Sequence, residues 1–296
     1  MPFSSILKSK KIDKTIFLNI FSLYFVNFFR FALNLITLPH LLKIYGPEKW
    51  GQITFFQIII SYLIWISDWS LDQHSSKLLS INEGNVRKQI QIFKSSISAQ
   101  FSILIFILLS LDLYSYFFAI NKLIFIYINL IIIGNFLQPH WYLIGREKIY
   151  ESAIFLLINK LFFSFFILFF INKSSIIQDY FLFMGISSIS TGLIFLIRII
   201  SHYKVKFVVT EFKPGLRLIK KSFKLFISEI WNYLTNSLTL IIIGSMIGQF
   251  ELGIFNIAER IKSLAIQSLQ PIIHSIFPRI ARKYSQDKKD ANKSFL

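Results

Sequence analysis

Residues 16–38 read IFLNIFSLYFVNFFRFALNLITL, an apolar run in which Arg30 is the one charged side chain. About 20 apolar residues are enough for a helix to cross the hydrocarbon core of a bilayer. Asn27, Arg30 and Asn34 are spaced i, i+3 and i+7, so they share one helical face. A charge at that depth is costly in lipid and usually faces a cavity or a partner. The stretch therefore predicts a membrane helix with an inward polar stripe, the alternative being that Arg30 snorkels to the headgroups.

The composition of the whole chain agrees with this interpretation of its first span. Of 296 residues, 54% are hydrophobic and 34 are Phe. Long apolar runs with few charges are typical of polytopic helical membrane proteins. The net charge of +17 is concentrated between the spans, which fits orientation signals better than a nucleic-acid site, so we expect no nucleic-acid partner. The chain has no Cys, which excludes disulfides and thiolate metal sites.

We predict an all-α, polytopic membrane protein with about eight spans, each near 20 residues long. The predicted spans are 16–38, 52–71, 96–119, 123–144, 151–171, 180–200, 225–248 and 253–277. Six polar residues interrupt the eighth span: Glu259, Arg260, Lys262, Gln267, Gln270 and His274. A helix that polar persists at membrane depth only where it faces protein or water.

Lys and Arg residues outside the spans are distributed very unevenly between the two sides. With the N-terminus in the cytoplasm, the inner segments carry 23 of them, whereas the outer segments carry only Lys43, Lys49, Lys122 and Lys173. Cytoplasmic loops of membrane proteins are enriched in Lys and Arg. We therefore predict a multi-pass protein with both termini cytoplasmic.

The longest predicted inner connection, residues 201–224, divides the chain after six spans. Its second half continues as LRLIKKSFKLF from Leu216, which predicts an amphipathic helix on the membrane surface. We predict a six-helix lobe at residues 1–200, and at residues 225–296 the first two helices of a second lobe with a basic cytoplasmic tail.

A weak internal repeat across this connection favours duplicated lobes. GPEKWGQITFFQ begins at Gly46, and GQFELGIFNIAE begins at Gly248. Both place two glycines five residues apart with an acidic residue between them, followed by an apolar run. The two copies are offset by six spans, as a duplicated six-helix lobe requires.

Two longer stretches carry a family resemblance. LITLPHLLKIYGPEKWGQI from Leu35 and FLQPHWYLIGREKIYESAI from Phe136 together resemble the Wzx-type polysaccharide flippases of the multidrug/oligosaccharidyl-lipid/polysaccharide exporter superfamily. The matching positions are Leu38, Pro39, Tyr45, Gly46, Trp50, Gly51, Pro139, Trp141, Tyr142, Gly145 and Glu147. LGIFNIAERIKSLAIQSLQPIIHSIFPRI from Leu252 is similar to the family's eighth helix. The chain departs from the family pattern at Ser70 and Lys77, near the inner end of the second span.

The resemblance implies a bacterial inner-membrane flippase that moves an undecaprenyl-pyrophosphate-linked oligosaccharide, an O-antigen or capsule repeat unit, by alternating access in polysaccharide and lipopolysaccharide biosynthesis. It implies membrane lipid and a lipid-linked glycan as partners, and no cofactor. Such proteins have about twelve or more helices in two lobes. With about eight predicted helices, we expect a C-terminally truncated or split flippase, or one that a second chain completes.

A flippase for such a substrate needs fixed cations in a hydrated cavity, because a pyrophosphate must cross about 30 Å of hydrocarbon. Arg suits a pyrophosphate since it stays charged and can bind two oxygens at once. We predict a substrate-binding set of Arg30, Asn27, Asn34, Lys160 and Arg260. Arg198 is predicted to snorkel, and the five Trp residues to anchor the chain at the interfaces.

Asp68 and Glu229 lie near predicted inner helix ends. They are candidates for ion coupling or gating, the alternative being solvation at the interface or structural pairing.

Two other functions remain open from sequence alone. A membrane polysaccharide polymerase or acyltransferase needs a catalytic surface, and polymerases usually place it in a large outer loop, whereas every outer connection here is short. No metal-spacing cluster, nucleophile elbow or phosphate-binding glycine loop occurs either, so we predict no enzyme and no metal site. A drug or cation antiporter of the same superfamily would favour acidic cavity residues, whereas the stripe around Arg30 favours an anionic substrate.

Overall fold

The structure is a computed structural model that describes residues 10–117, 122–203, 209, 212–263 and 266, with side chains from residue 25 onward except 236. The part it describes is helical and contains no strand, which confirms the all-α prediction. The helices are α1 (Lys10–Asp68), α2 (Leu71–Ile81), α3 (Val86–Phe117), α4 (Lys122–Phe136), α5 (His140–Ile144), α6 (Ile149–Phe170), α7 (Ile177–Tyr203) and α8 (Phe212–Ile242). A short π-helix, Ile243–Ile247, follows α8.

Helix α1 is broken at Gly46 into a first arm, residues 10–45, and a second arm, residues 47–68. Gly46 has φ 68° and ψ 177°, a left-handed conformation that glycine adopts without a steric penalty. Pro47 then begins the second arm, where its missing N–H costs nothing because the first turn of a helix has no partner for it. The first arm extends seven residues past the predicted end of the first span at Leu38.

Five helices in the described part are long and apolar enough to cross a membrane, or six if the bent pair Phe212–Thr235 and Ser237–Ile247 is one span. The first of the five is the 57-residue run Phe25–Ile81, which would be about 85 Å long if straight. Because a bilayer core is about 30 Å thick, the break at Gly46 must separate two crossings, as the predicted spans 16–38 and 52–71 require. The eighth predicted span, 253–277, is helical to residue 263 and lies largely outside the described residues.

Small residues bring α4 and α7 into close contact. A Cβ on Gly134 would lie 2.4 Å from Ser188 Oγ, and a Cβ on Gly192 would lie 2.9 Å from the Gly134 carbonyl oxygen. Gln138 Nε2 donates to the carbonyl oxygens of both Gly134 (2.9 Å) and Ser188 (3.1 Å). Small residues with polar side chains are the usual means of helix association in lipid, where the hydrophobic effect does not drive it.

Helix α8 contains the second half of the predicted connection, 201–224, and most of the seventh predicted span, 225–248. The segment that we predicted as a surface helix continues without interruption from Phe212 to Ile242, and the pair Phe212–Thr235 and Ser237–Ile247 is bent by 54°. The chain divides into two compact units, Met1–Gly253 and Ile254–Leu296. The predicted lobe boundaries at 201–224 therefore stay a prediction.

The prediction that all five Trp residues anchor the chain at interfaces is wrong for three of them. Trp50, Trp65 and Trp141 are buried within the protein, whereas Trp231 is 72% exposed and fits the prediction. Position near a helix end indicates membrane depth but not which side of the helix faces a neighbour. Trp50 packs against Tyr180 of α7 with ring centroids 6.2 Å apart, so its role is packing.

Candidate functional site

The polar stripe of the first arm of α1 lies on the face that packs against the protein. Val26, Thr37 and Leu41 on this face are buried, whereas Arg30 between them is exposed and Asn34 is half-buried. Asn27 is also exposed. Within the described residues, Arg30 forms no ion pair. The prediction that Arg30 faces a water-filled cavity therefore stays a prediction.

Arg30 and Lys160 lie at similar positions on two helices that pack together, α1 and α6. The C-terminal ends of the first arm and of α6 meet where His40 Nε2 donates to the Ile171 carbonyl oxygen (3.1 Å). Arg30 precedes His40 by ten residues and Lys160 precedes Ile171 by eleven, which corresponds to about 15–17 Å along each helix. Lys160 is half-buried, with Nζ 5.6 Å from the Phe163 ring centroid. Counted back from this contact, the two predicted cations therefore lie a similar distance along their helices.

Arg260 belongs to the second compact unit, Ile254–Leu296. It is half-buried, and its Nε donates to Asn256 Oδ1 one turn earlier (3.0 Å). Its place in the substrate-binding set stays a prediction.

Three carboxylates gather where α1 ends and α2 begins. Glu229 of α8 accepts hydrogen bonds from Trp65 Nε1 (3.3 Å), Ser70 Oγ and Gln73 Nε2. The Asp68 carboxylate accepts a hydrogen bond from the Asn135 side chain and interacts electrostatically with Asp72 and Glu229. We call Asp68, Asp72 and Glu229 the acidic cluster. Asp68 and Glu229 were candidates from the sequence alone. Their proximity could not be predicted, because their helices are far apart in the chain.

Asp72 is the member of the acidic cluster that sequence reasoning missed. It accepts from Gln100 Nε2 (3.2 Å), and Gln100 Oε1 accepts from Trp141 Nε1 (3.3 Å). This chain of hydrogen bonds connects α2, α3 and α5. The one feature of the sequence that pointed to Asp72 was the pair of Asp residues in SDWSLD, residues 67–72. The predicted second span ended at residue 71 and so separated the two.

Stacked aromatic rings join the second arm of α1 to α8 beside the acidic cluster. Trp69 stacks on Phe226 with ring centroids 4.1 Å apart, and Trp65 stacks on Phe226 at 4.6 Å and on Tyr233 at 4.7 Å. Trp69 Nε1 also donates to the Ile219 carbonyl oxygen (3.2 Å). Since α8 carries the seventh predicted span, this contact joins the two predicted lobes.

Arg198 pairs with Glu151, so the prediction that it simply snorkels misses its partner. Arg198 Nη2 and Nε lie 3.1 and 3.2 Å from Glu151 Oε2, and Tyr203 OH donates to Glu151 Oε1 (2.8 Å). Glu151 is buried. The pair ties the start of α6 to the end of α7, and its role is structural.

The described residues contain no group of three or more His, Cys, Asp or Glu arranged to hold a metal ion. They contain two cations, Arg30 and Lys160, on helices that pack together, and the acidic cluster where α1 ends and α2 begins. Such an arrangement can bind and release charged groups by electrostatics.

The family described as "Polysaccharide biosynthesis protein" matches residues 16–283, nearly the whole chain. The chain belongs to this family. It is also 24% identical over 266 residues to the "Putative O-antigen transporter" of Escherichia coli (strain K12). That match covers 89% of this chain and 64% of the relative, so the chain spans about two thirds of the relative's length. No solved structure matches the chain at a significant level.

The residues that carried the family resemblance are chiefly packing residues. Tyr45 OH donates to the Ile176 carbonyl oxygen (3.1 Å). A Cβ on Gly145 would lie 2.7 Å from the Ser76 carbonyl oxygen, so α5 and α2 touch through their backbones. Trp141 and Tyr142 are fully buried. In this chain these motif residues make helix contacts, while the charged candidates lie elsewhere.

Proposed function

We propose that this chain acts in a flippase that moves a lipid-linked oligosaccharide, carried on undecaprenyl pyrophosphate, across the bacterial inner membrane. The observation that carries the proposal is the exposed Arg30 on a buried face of α1, at a similar position to Lys160 on α6. Membership of the polysaccharide biosynthesis family supports the substrate class. The relative's printed name supports transport rather than catalysis.

Arg30 and Lys160 supply the positive charge that a pyrophosphate needs after it leaves water. Arg30 donates hydrogen bonds to two phosphate oxygens at once, since the guanidinium presents paired N–H donors in one plane. Asn27 and Asn34, on the same helical face, donate to further phosphate or sugar oxygens. Arg260 stays a prediction from sequence, and the lipid tail stays in the bilayer throughout.

The acidic cluster controls access from the cytoplasmic side in this proposal. Three carboxylates near one another repel when all are charged, so binding of a proton or cation favours the closed contact between α1 and α8. Asp68 and Glu229 then couple an ion gradient to opening. The proposal places both termini in the cytoplasm, on the evidence of the loop charges.

One observation favours a second candidate, a drug or cation antiporter with the same fold. The acidic cluster would bind a cationic substrate directly if it opened to a cavity. The two candidates differ in substrate charge, and a glycan-export assay separates them.

The test uses cells whose own flippase is deleted and in which this 296-residue chain is expressed. Surface polysaccharide and the lipid-linked repeat units retained on the cytoplasmic side are both measured. Restored export, with the retained units falling to wild-type levels, is the expected result. If neither this chain nor the chain extended by the remaining helices of the relative restores export, the proposal is wrong. A parallel assay of cationic dye efflux tests the antiporter candidate.

A further inference from the structure

A cleft of about 360 Å³ opens between α2, α3 and α8 at the membrane surface that holds the predicted cytoplasmic connections. One wall is the face of α3 from Lys88 to Ser95, and the facing wall is the face of α8 from Pro214 to Lys221. Both walls use the spacing i, i+3, i+4, i+7, which presents one side of each helix to the cleft. We call this space the basic cleft.

The charged groups that line the basic cleft are all positive. Lys88 comes from α3, and Arg217 and Lys221 come from α8. No carboxylate belongs to the lining, and none of these three cations forms an ion pair with another residue of the described chain. Like charges around one space repel each other, and at the dielectric boundary of a membrane they are less screened than in bulk water. An anion in the cleft would remove this repulsion.

The walls of the basic cleft are held rigidly by contact between the two helices. A Cβ on Gly215 would lie 3.0 Å from the Ala99 nitrogen and 3.1 Å from the Ser95 carbonyl oxygen, so α8 meets the backbone of α3. Ser222, one turn beyond Leu218, is fully buried and donates to the Leu218 carbonyl oxygen (3.0 Å). The backbone positions of Arg217 and Lys221, which lie between these contacts, are therefore fixed.

Apolar side chains also line the basic cleft. Leu78 of α2, Ile92 of α3 and Leu218 of α8 are half-buried and lie beside the cations. Helix α8 continues directly into the seventh predicted span. A ligand at this place meets positive charge on one side and an apolar surface at the level of the lipid chains on the other. A phospholipid with an anionic headgroup has both features.

We propose that the basic cleft binds the phosphate headgroup of an acidic phospholipid, with its acyl chains against the apolar lining that Leu78, Ile92 and Leu218 provide. The phosphate oxygens accept hydrogen bonds from Lys88, Arg217 and Lys221. Occupancy by the lipid ties α8 to α3. The proposal does not depend on what the protein transports.

The test compares the purified full chain with two double variants by native mass spectrometry, using phosphatidylglycerol and phosphatidylcholine as probes at equal concentration. Arg217→Gln/Lys221→Gln removes two cations from the basic cleft. Lys213→Gln/Lys224→Gln removes the same charge from exposed positions on the same basic face, outside the cleft. Lys88→Gln tests the opposite wall, and thermal unfolding in detergent verifies that each variant is folded.

We expect the unmodified chain to retain phosphatidylglycerol in preference to phosphatidylcholine. The cleft variant should bind phosphatidylglycerol roughly 10- to 30-fold more weakly, Lys88→Gln should weaken it severalfold, and the control pair should change it less than twofold. Equal losses in both double variants would show that only the overall field attracts the lipid, and would overturn the proposal. Competition by millimolar inorganic phosphate or pyrophosphate would also overturn it, since the ligand would then be a soluble anion.

Discussion

Gly51 and Gly253 meet in a reciprocal backbone contact. A Cβ on Gly51 would lie 1.7 Å from the Gln249 carbonyl oxygen, and a Cβ on Gly253 would lie 2.0 Å from the Pro47 carbonyl oxygen. Gly51 and Gly253 are 202 positions apart, and so are Pro47 and Gln249. The first six residues of the two copies, 46–51 and 248–253, therefore contact each other symmetrically. Gly46 and Gly248, also 202 apart, are the first residues of the two copies, and both have positive φ.

Replacing either glycine of this contact by alanine should force the two repeat segments apart. We expect Gly51→Ala and Gly253→Ala each to destabilise the protein by about 1–3 kcal/mol, because a methyl group would overlap a backbone oxygen. The double variant should cost less than the sum, since one displacement relieves both clashes. Thermal unfolding of the purified chain measures this. Gly84→Ala is the comparison: its added Cβ meets nothing, but its φ of 82° strains any side chain, so it should destabilise the protein by about 1 kcal/mol on its own and be additive with Gly51→Ala because the two sites are far apart.

Loss of the Glu229 carboxylate should weaken the junction between α1 and α8. Glu229→Gln converts an oxygen that accepts from donors of α1 and α2 into an amide that donates, so we expect a loss of about 2 kcal/mol. Chemical denaturation read by Trp fluorescence is suitable because Trp65 is one of the donors. Glu83→Gln, at an exposed carboxylate, should change stability by less than about 0.5 kcal/mol. Equal effects of the two variants would contradict a special role for Glu229.

Breaking the Arg198–Glu151 pair from one side should cost more than removing both charges. Arg198→Ala leaves a buried carboxylate without its cation, for which we expect a loss of about 2–3 kcal/mol, reduced from the fully buried case because the Arg198 side chain is 40% exposed. The double variant Arg198→Ala/Glu151→Gln should recover part of this loss. The unfolding midpoints of the unmodified chain, Arg198→Ala and the double variant measure these stability differences. A double variant less stable than Arg198→Ala would refute the interpretation.

The predicted orientation can be tested with single cysteines, because the chain contains none. Lys173→Cys should react with a membrane-impermeant maleimide in cells with a permeabilised outer membrane, since Lys173 lies on a predicted outer connection. Glu83→Cys, on the exposed turn between α2 and α3, should react only after the inner membrane is broken. The reverse pattern would mean that the orientation is inverted.

The sequence predicted those features that depend on local pattern. The apolar runs predicted the five or six helices of the described part that are long and apolar enough to cross a membrane, and the two glycine motifs marked the breaks at Gly46 and Gly248. Contacts between helices were not predictable, because periodicity shows that a face is apolar or polar but not which helix covers it. The hydrogen-bond donors to Glu229 therefore could not be predicted, since they lie more than 150 positions earlier in the chain. For the same reason Trp50 was assigned to the membrane interface although it is fully buried.

The measurement that tests the account most directly is glycan export by Arg30 variants in cells that depend on this chain for it. Surface polysaccharide, retained lipid-linked units and the membrane level of the protein are measured together. We predict that Arg30→Ala reduces export at least tenfold at an unchanged protein level, that Arg30→Lys retains part of it, and that Arg87→Ala, at an exposed cation on α3, leaves it normal. Normal export by Arg30→Ala would contradict the claim that Arg30 carries the pyrophosphate across the membrane.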